Sequence, residues 1–248
     1  MAADDLLAKA LTESDYDAIV RFYRWDPPAV SLGCHQKPDA VNIKACRELG
    51  WDVVYRSTGG RALLHFDDLS YAVIIQAKTG SFTELHKLYD NIALAITRTL
   101  KQLELDAEIT RPSVENDGTK PRLRAGLCLD SRVRGEVTIN GRKIAAAAQH
   151  IYKDSILQHG SIMLAGDPSD IVKVSSVDES KRDVLMDKLR SKACALEELL
   201  NYRIDIKVLV DMFKVNFSDT KGLNLIEDDW TEDEIERIYS KRGDFEIF

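Results

Sequence analysis

Tyr55-Arg-Ser-Thr-Gly-Gly-Arg-Ala-Leu-Leu-His-Phe-Asp-Asp-Leu-Ser70 is the stretch on which the reading of this chain turns. A short strand-like segment, Trp51-Asp-Val-Val54, leads into it, and residues 69–76 form another behind it. Between them stand two adjacent glycines, a threonine, two arginines and a histidine. A Gly-Gly pair carries no Cβ, so backbone there can approach a ligand closely. Arginine side chains and backbone N–H groups in such a loop can hold a carboxylate, a phosphate or a carbonyl oxygen.

Outward from this loop, apolar spacing predicts a helix over 2–12 and strands over 18–25 and 29–33, separated by Asp26-Pro27-Pro28. A helix over 39–49 ends at Gly50, and a long amphipathic helix covers 81–105. Residues 112–125 read as a polar loop of a length that is often functional. Glu136-Val-Thr-Ile, Asn140-Gly141 and Arg142-Lys-Ile form a hairpin signal, because Asn-Gly supplies the positive φ angles of a type I′ turn. A strand follows over 155–164. Helices are predicted over 181–189, 193–201, 206–217 and 231–239. The order describes an α+β fold, a mixed β-sheet with flanking helices and a small helical C-terminal segment.

A chain of 248 residues suits one large domain or one domain plus an appendage. No run approaches the roughly 18 apolar residues of a membrane span, and the acidic start is not a secretory signal. Cys34, Cys46, Cys128 and Cys194 lack metal-site spacing and read as reduced thiols of a cytoplasmic protein. A net charge of −7 argues against nucleic-acid binding. Residues 111–143 nevertheless carry eight basic residues against four acids. That segment reads either as a solvated loop or as a surface that steers an acidic partner.

Candidate chemistry centres on Cys128 and Lys143. Cys128 is either a buried apolar residue or a thiolate favoured by Arg122, Arg124, Arg132, Arg134 and Lys143. Lys143 sits in Asn140-Gly-Arg-Lys-Ile-Ala-Ala-Ala-Ala-Gln149. Four consecutive alanines are unusual in a strand, and leave room for an acyl chain or for a close-packed helix. His65, beside the Gly-Gly loop, and His159, in Gln158-His-Gly160, read as site residues or as satisfied polar groups. The five histidines show no paired ligand spacing, so no metal site is assigned. No Gly-x-Ser-x-Gly elbow, phosphate loop or dinucleotide fingerprint is present.

Three blocks, Arg56–His65, Asn140–Ala145 with Gln149, and Leu157–Ile162, resemble those of the lipoate-protein ligase and octanoyltransferase superfamily, which also includes biotin-protein ligase. The resemblance implies the biotin/lipoate ligase catalytic-domain fold, with a catalytic core over 1–165 and a helical part over 166–248 packed on the same domain. Gly-Gly-Arg, where ligases usually have a third glycine, is similar to the cysteine-dependent octanoyltransferases of the LipM type. Those enzymes carry a cysteine thirteen residues before the glycine of a Gly-x-Lys block, and Cys128 precedes Gly141 by that spacing.

The resemblance therefore implies an acyltransferase of lipoate biosynthesis that needs no cofactor. Octanoyl would move from acyl carrier protein to Cys128 as a thioester, then to a lysine of a lipoyl domain such as the glycine-cleavage H protein. It assigns Cys128 and Lys143 to catalysis, with Lys143 lowering the thiol pKa and orienting the carbonyl. It assigns Arg56, Thr58, Gly59, Gly60, Arg61, His65, Gly141, Ala146, Gln149, His159 and Gly160 to substrate binding. The basic stretch 111–134 would meet the acidic carrier. An ATP-dependent lipoate ligase and a non-catalytic lipoyl-domain-binding protein are the alternatives.

The chain departs from the pattern in places. Tyr55 replaces a common arginine, Ala146-Ala147 replaces Gly-Ser, and Leu-Asp-Ser-Arg-Val-Arg follows Cys128. The family's short strand before the first helix has no counterpart, since Met1 already begins that helix.

Overall fold

The computed structural model describes residues 1–77, 82–110 and 136–247. Cys128, the loop predicted over 112–125 and the basic stretch 111–134 lie outside the described residues.

The central sheet has the order β1-β5-β10-β9 and is antiparallel throughout. Its strands are β1 (Ala18–Tyr23), β5 (Asp68–Gln76), β9 (Ala145–Ile151) and β10 (Ser155–Met163). β5 is buried along nearly its whole length because both of its faces are covered. Leu69, Tyr71 and Val73 point to one face, and Ala72 and Ile74 to the other, as the two-residue period of a strand requires. Helix α1 (Ala2–Ala10) covers the second face through Leu7 and Ala8.

The first face meets α3 (Phe82–Gln102) and α6 (Ile206–Lys221). Phe213 of α6 lies edge-on to Phe22 at 5.1 Å and stacks on Tyr71 at 5.8 Å. An edge-on approach sets a positive ring edge against a negative ring face. The C-terminal helices thus share a core with the strands of the first half.

A second, mixed sheet has the order β3-β2-β4. β2 (Ala29–Leu32) runs parallel to β3 (Asp52–Tyr55) and antiparallel to β4 (Leu63–His65). Residues 245–247 extend this sheet past β3: Tyr55 N–H donates to the Phe245 carbonyl at 2.7 Å, and Ile247 N–H to the Val53 carbonyl at 2.9 Å. Helices α2 (Ile43–Glu48) and α4 (Arg182–Arg190) cover one face of this sheet. The helix expected over 39–49 starts only at Ile43. Pro38–Ala40 form a separate 3-10 turn, and the Asn42 side chain caps α2 by accepting from Ala45 N–H.

The third sheet joins β6 (Ala107–Thr110), β7 (Glu136–Ile139) and β8 (Arg142–Lys143). Asn140 and Gly141 have φ of 51° and 74°, so the expected tight turn forms. The other described helices are α5 (Leu196–Leu200) and α7 (Glu232–Lys241), the latter opened by a capping box between Thr231 and Glu234. No described helix is long and apolar enough to cross a membrane.

Phe213→Ala is expected to destabilise the fold by about 3–5 kcal/mol, the usual range for truncating a fully buried phenylalanine. Urea denaturation followed by tryptophan fluorescence checks this; a loss below about 1 kcal/mol would show that α6 is not integral to the core.

Candidate active site

The Gly-Gly loop is shaped from beneath by Arg56. Its buried guanidinium donates to the Gly59 carbonyl from Nε (3.2 Å) and Nη2 (2.9 Å), to the Arg61 carbonyl at 2.8 Å, and to Ser31 carbonyl and hydroxyl at 2.8 and 3.2 Å. These bonds turn the loop's carbonyls inward. Gly60 has φ of 99°, a region open to glycine. A Cβ on Gly33 would sit 2.3 Å from the Gly60 carbonyl oxygen, whereas one on Gly59 would meet nothing within 4 Å. Gly33 is therefore required for close approach of two backbones, and Gly59 presents an open face.

Two hydroxyl–imidazole–carboxylate chains flank this loop. In the first, Thr58 Oγ1 lies 2.6 Å from His159 Nε2, and His159 Nδ1 lies 3.4 Å from Asp4 Oδ2. Burial pushes the His159 imidazole below its ordinary pKa, against the pull of Asp4. Burial therefore favours the neutral ring, and the contacts fit a tautomer that donates from Nδ1 to Asp4 and accepts from Thr58 at Nε2. Burial opposes ionisation of Asp4, but His159 and the Arg21 guanidinium, which ion-pairs with it, hold its carboxyl well below the usual range. In the second chain Ser31 Oγ lies 2.9 Å from His65 Nε2, and His65 Nδ1 lies 2.8 Å from Asp68 Oδ2. Asp68 also accepts from Ser70 and Ser161, and Trp25 stacks on His65 at 4.5 Å. Both chains have triad connectivity, yet Thr58 and Ser31 are fully buried. Both chains tie the loop to the strands beside it, and Ser31 also borders the cleft that Arg56, His65 and His159 line.

The alanine run forms strand β9 and is the wall shared by three hollows. One cleft is lined by Ser31, Arg56, His65, His159, Gly160 and Ala146–Ala148. A second is lined by Lys143, Ala145, Ala146, Asp68 and Ser161. The two share Leu63 and Ala146. On the side of α3 a third hollow holds Glu136, Tyr71, Tyr89 and Ala145–Ala147. Ala146 belongs to all three. Lys143 is buried and its ammonium donates to Glu136 Oε1 at 2.7 Å.

The chain matches the model of the lipoyl protein ligase A/B catalytic domain over residues 1–218. It belongs to this family. Octanoyltransferase LipM of Geobacillus kaustophilus is 33% identical over 246 residues, covering 96% of this chain and 87% of that protein. Octanoyltransferase LipM of Anoxybacillus flavithermus is 32% identical, with 91% of this chain and 82% of the relative covered. A solved bi-partite lipoate protein ligase from Thermoplasma acidophilum superposes with a TM-score of 0.77 at 23% identity, over 98% of this chain and 86% of that one. This last likeness establishes the fold, including the α+β class and flanking helices expected from the sequence.

Of the residues that the resemblance to this lipoyl ligase family singled out, the structure brings Arg56, Thr58, Gly59, Gly60, Arg61, His65, His159, Gly160 and Ala146 to one region. Lys143 lies in the adjoining cleft. Gly141 is at the hairpin turn, where a Cβ would meet open space. Gln149 is tied to the Leu85 carbonyl and the Gln158 side chain, each at 2.8 Å, and lines none of the three hollows. Gly160 is required by packing, since a Cβ there would lie 2.4 Å from the Tyr71 hydroxyl and 2.5 Å from the Ala146 carbonyl oxygen. Burial raises the thiols of Cys46 and Cys194 to about 11, which leaves little thiolate at neutral pH. Ser31, Asp4, Asp68 and Glu136 were missed by sequence reasoning.

A buried neutral histidine binds fewer protons than the same group in the unfolded chain once pH falls below its ordinary value of about 6.5. His159 therefore makes stability fall as pH drops through that value. Melting temperatures measured from pH 7.5 to 5.5 should decline less steeply in His159→Gln than in the unsubstituted protein. Parallel curves would remove His159 as the source.

Proposed function

We propose that this protein is an octanoyltransferase of protein lipoylation, working through a cysteine thioester. The match to curated octanoyltransferases over nearly the whole chain carries this reading. The Gly-Gly-Arg loop and the small-residue strand beside Lys143 support it. Acyl carrier protein is the proposed donor, and a lipoyl domain such as the glycine-cleavage H protein the proposed acceptor. The compartment is proposed to be the cytoplasm, on cysteine usage alone.

In the proposed reaction the Cys128 thiolate attacks the carbonyl carbon of the donor thioester. A new C–S bond forms, the old one breaks, and the carrier leaves as its thiolate, which takes a proton from solvent. The neutral amine of the acceptor lysine then attacks the enzyme thioester. The C–N bond forms, the Cys128 thiolate departs, and the nitrogen releases its proton. A thioester is already activated, so neither step calls for nucleotide. The acyl tail is proposed to lie along β9, where Ala146 sets the width shared by the two clefts. Lys143 would draw electron density from the acyl carbonyl.

Purified protein with octanoyl carrier protein and apo lipoyl domain should modify the acceptor lysine with no ATP or magnesium present. Mass spectrometry should find an octanoyl adduct that survives in Cys34→Ala, Cys46→Ala and Cys194→Ala and disappears in Cys128→Ala. Modification only with free octanoate or lipoate plus ATP would make it a ligase. Binding of a lipoyl domain without any adduct would make it a non-catalytic module.

Ala146→Leu should reduce octanoyl transfer by about tenfold or more while leaving butyryl transfer near its starting rate, because the added side chain fills the shared wall. Equal loss with both acyl lengths would place the tail elsewhere.

A further inference from the structure

Glu136 stands outside every motif that pointed to the site, yet it is the partner of Lys143. The hairpin puts it there. β7 and β8 pair Thr138 with Lys143 and Ile139 with Arg142, so alternation sets residues 136, 138 and 143 on one face. The Lys143 ammonium donates to Glu136 Oε1 at 2.7 Å, with the two side chains only 7% and 10% exposed. The base of Lys143 is rigid. Its N–H donates to the Lys192 carbonyl at 2.7 Å, and its own carbonyl accepts from Cys194 N–H at 2.9 Å. On a fixed backbone, the aim of the ammonium is decided by what it bonds to.

Burial disfavours an ammonium unless an opposite charge lies close. Other ionisable groups face the pair, but each is engaged elsewhere. Asp68 shares the Lys143 cleft and is held by His65, Ser70 and Ser161. Asp67 pairs with Arg24 and Arg203, Asp167 with Arg190, and Asp170 with Lys173. Tyr71 and Tyr89 line the hollow that holds Glu136, and the Cys194 thiol points to the Lys143 carbonyl at 3.6 Å. Among the described residues, Glu136 is the carboxylate in ion-pair contact with Lys143. Its second oxygen, Oε2, is buried and has no hydrogen-bond partner there. A structural salt bridge that leaves an acceptor unused is a poor stabiliser compared with two apolar side chains.

We infer that Glu136 is a positioning residue, fixing the aim of the Lys143 ammonium for its work on the acyl group. This rests on the reading of Lys143 as the site's reacting cation. The test is a set of pH profiles of kcat/KM for octanoyl transfer in wild type, Glu136→Gln, Glu136→Asp, Lys143→Gln and the double variant Glu136→Gln/Lys143→Gln.

In Glu136→Gln the rate at pH 8 should fall by about tenfold or more, and the alkaline limb of the profile should move to lower pH. Glu136→Asp should return the limb toward its original position. In the Lys143→Gln background, Glu136→Gln should change kcat/KM by less than about twofold, because the residue it acts through is gone. The double variant removes both partners, so it leaves no unpaired buried charge behind. An unmoved alkaline limb accompanied only by a lower melting temperature would overturn the inference, as would a full additional loss in the double variant. Wild-type kcat/KM in Lys143→Gln would instead overturn the reading of Lys143 itself.

Discussion

A single guanidinium organises the region around which everything else is arranged. Arg56 satisfies carbonyls at Ser31, Gly59 and Arg61, which come from β2 and from both sides of the Gly-Gly turn. Planar, rigid and always charged, it can serve several acceptors at fixed angles, which a lysine cannot. With those carbonyls turned inward, the Gly33 backbone can approach Gly60, and Thr58 can reach His159. Asp68 and Asp4 then supply the negative charge that closes each histidine chain. Remove the guanidinium and three carbonyls lose a donor together, that of Ser31 buried and those of Gly59 and Arg61 half-buried, a larger penalty than any one hydrogen bond is worth.

Much of this architecture is legible from local pattern. The Asn140-Gly141 turn, the amphipathic α3 and the strands on either side of the loop follow from periodicity and turn chemistry acting over a few residues. What escapes has a physical reason. β4 is only three residues long, too short for alternation to register. The pairing of residues 245–247 with β3 joins positions nearly two hundred residues apart, and no local signal announces it. The early start expected for α2 ignored Asn42, whose side chain competes to cap the helix exactly where it stands.

The site is legible by a different rule. Motif blocks point to segments that the fold brings together, but not to the contacts each residue makes within them. Arg56 looks like a ligand-binding arginine in sequence, and in the fold it lines the cleft while also bonding Ser31 of β2 and the carbonyls of Gly59 and Arg61. His65 and His159 are each explained by a carboxylate, Asp68 or Asp4, that only the three-dimensional structure sets beside them. Glu136 is the instructive miss: the two-residue turn fixes the register, and the register alone sets its position on the face of Lys143.

The chain Thr58–His159–Asp4 joins positions 101 and 155 residues apart in sequence. Closing loops of that length carries a large entropic penalty, and it is met only after β10 has been laid against β5 and α1 has settled on the sheet. The tie between the Gly-Gly loop, the sheet and α1 therefore exists only where both ends of the first 160 residues have come together. Competence for chemistry is in this protein a report on the completeness of folding.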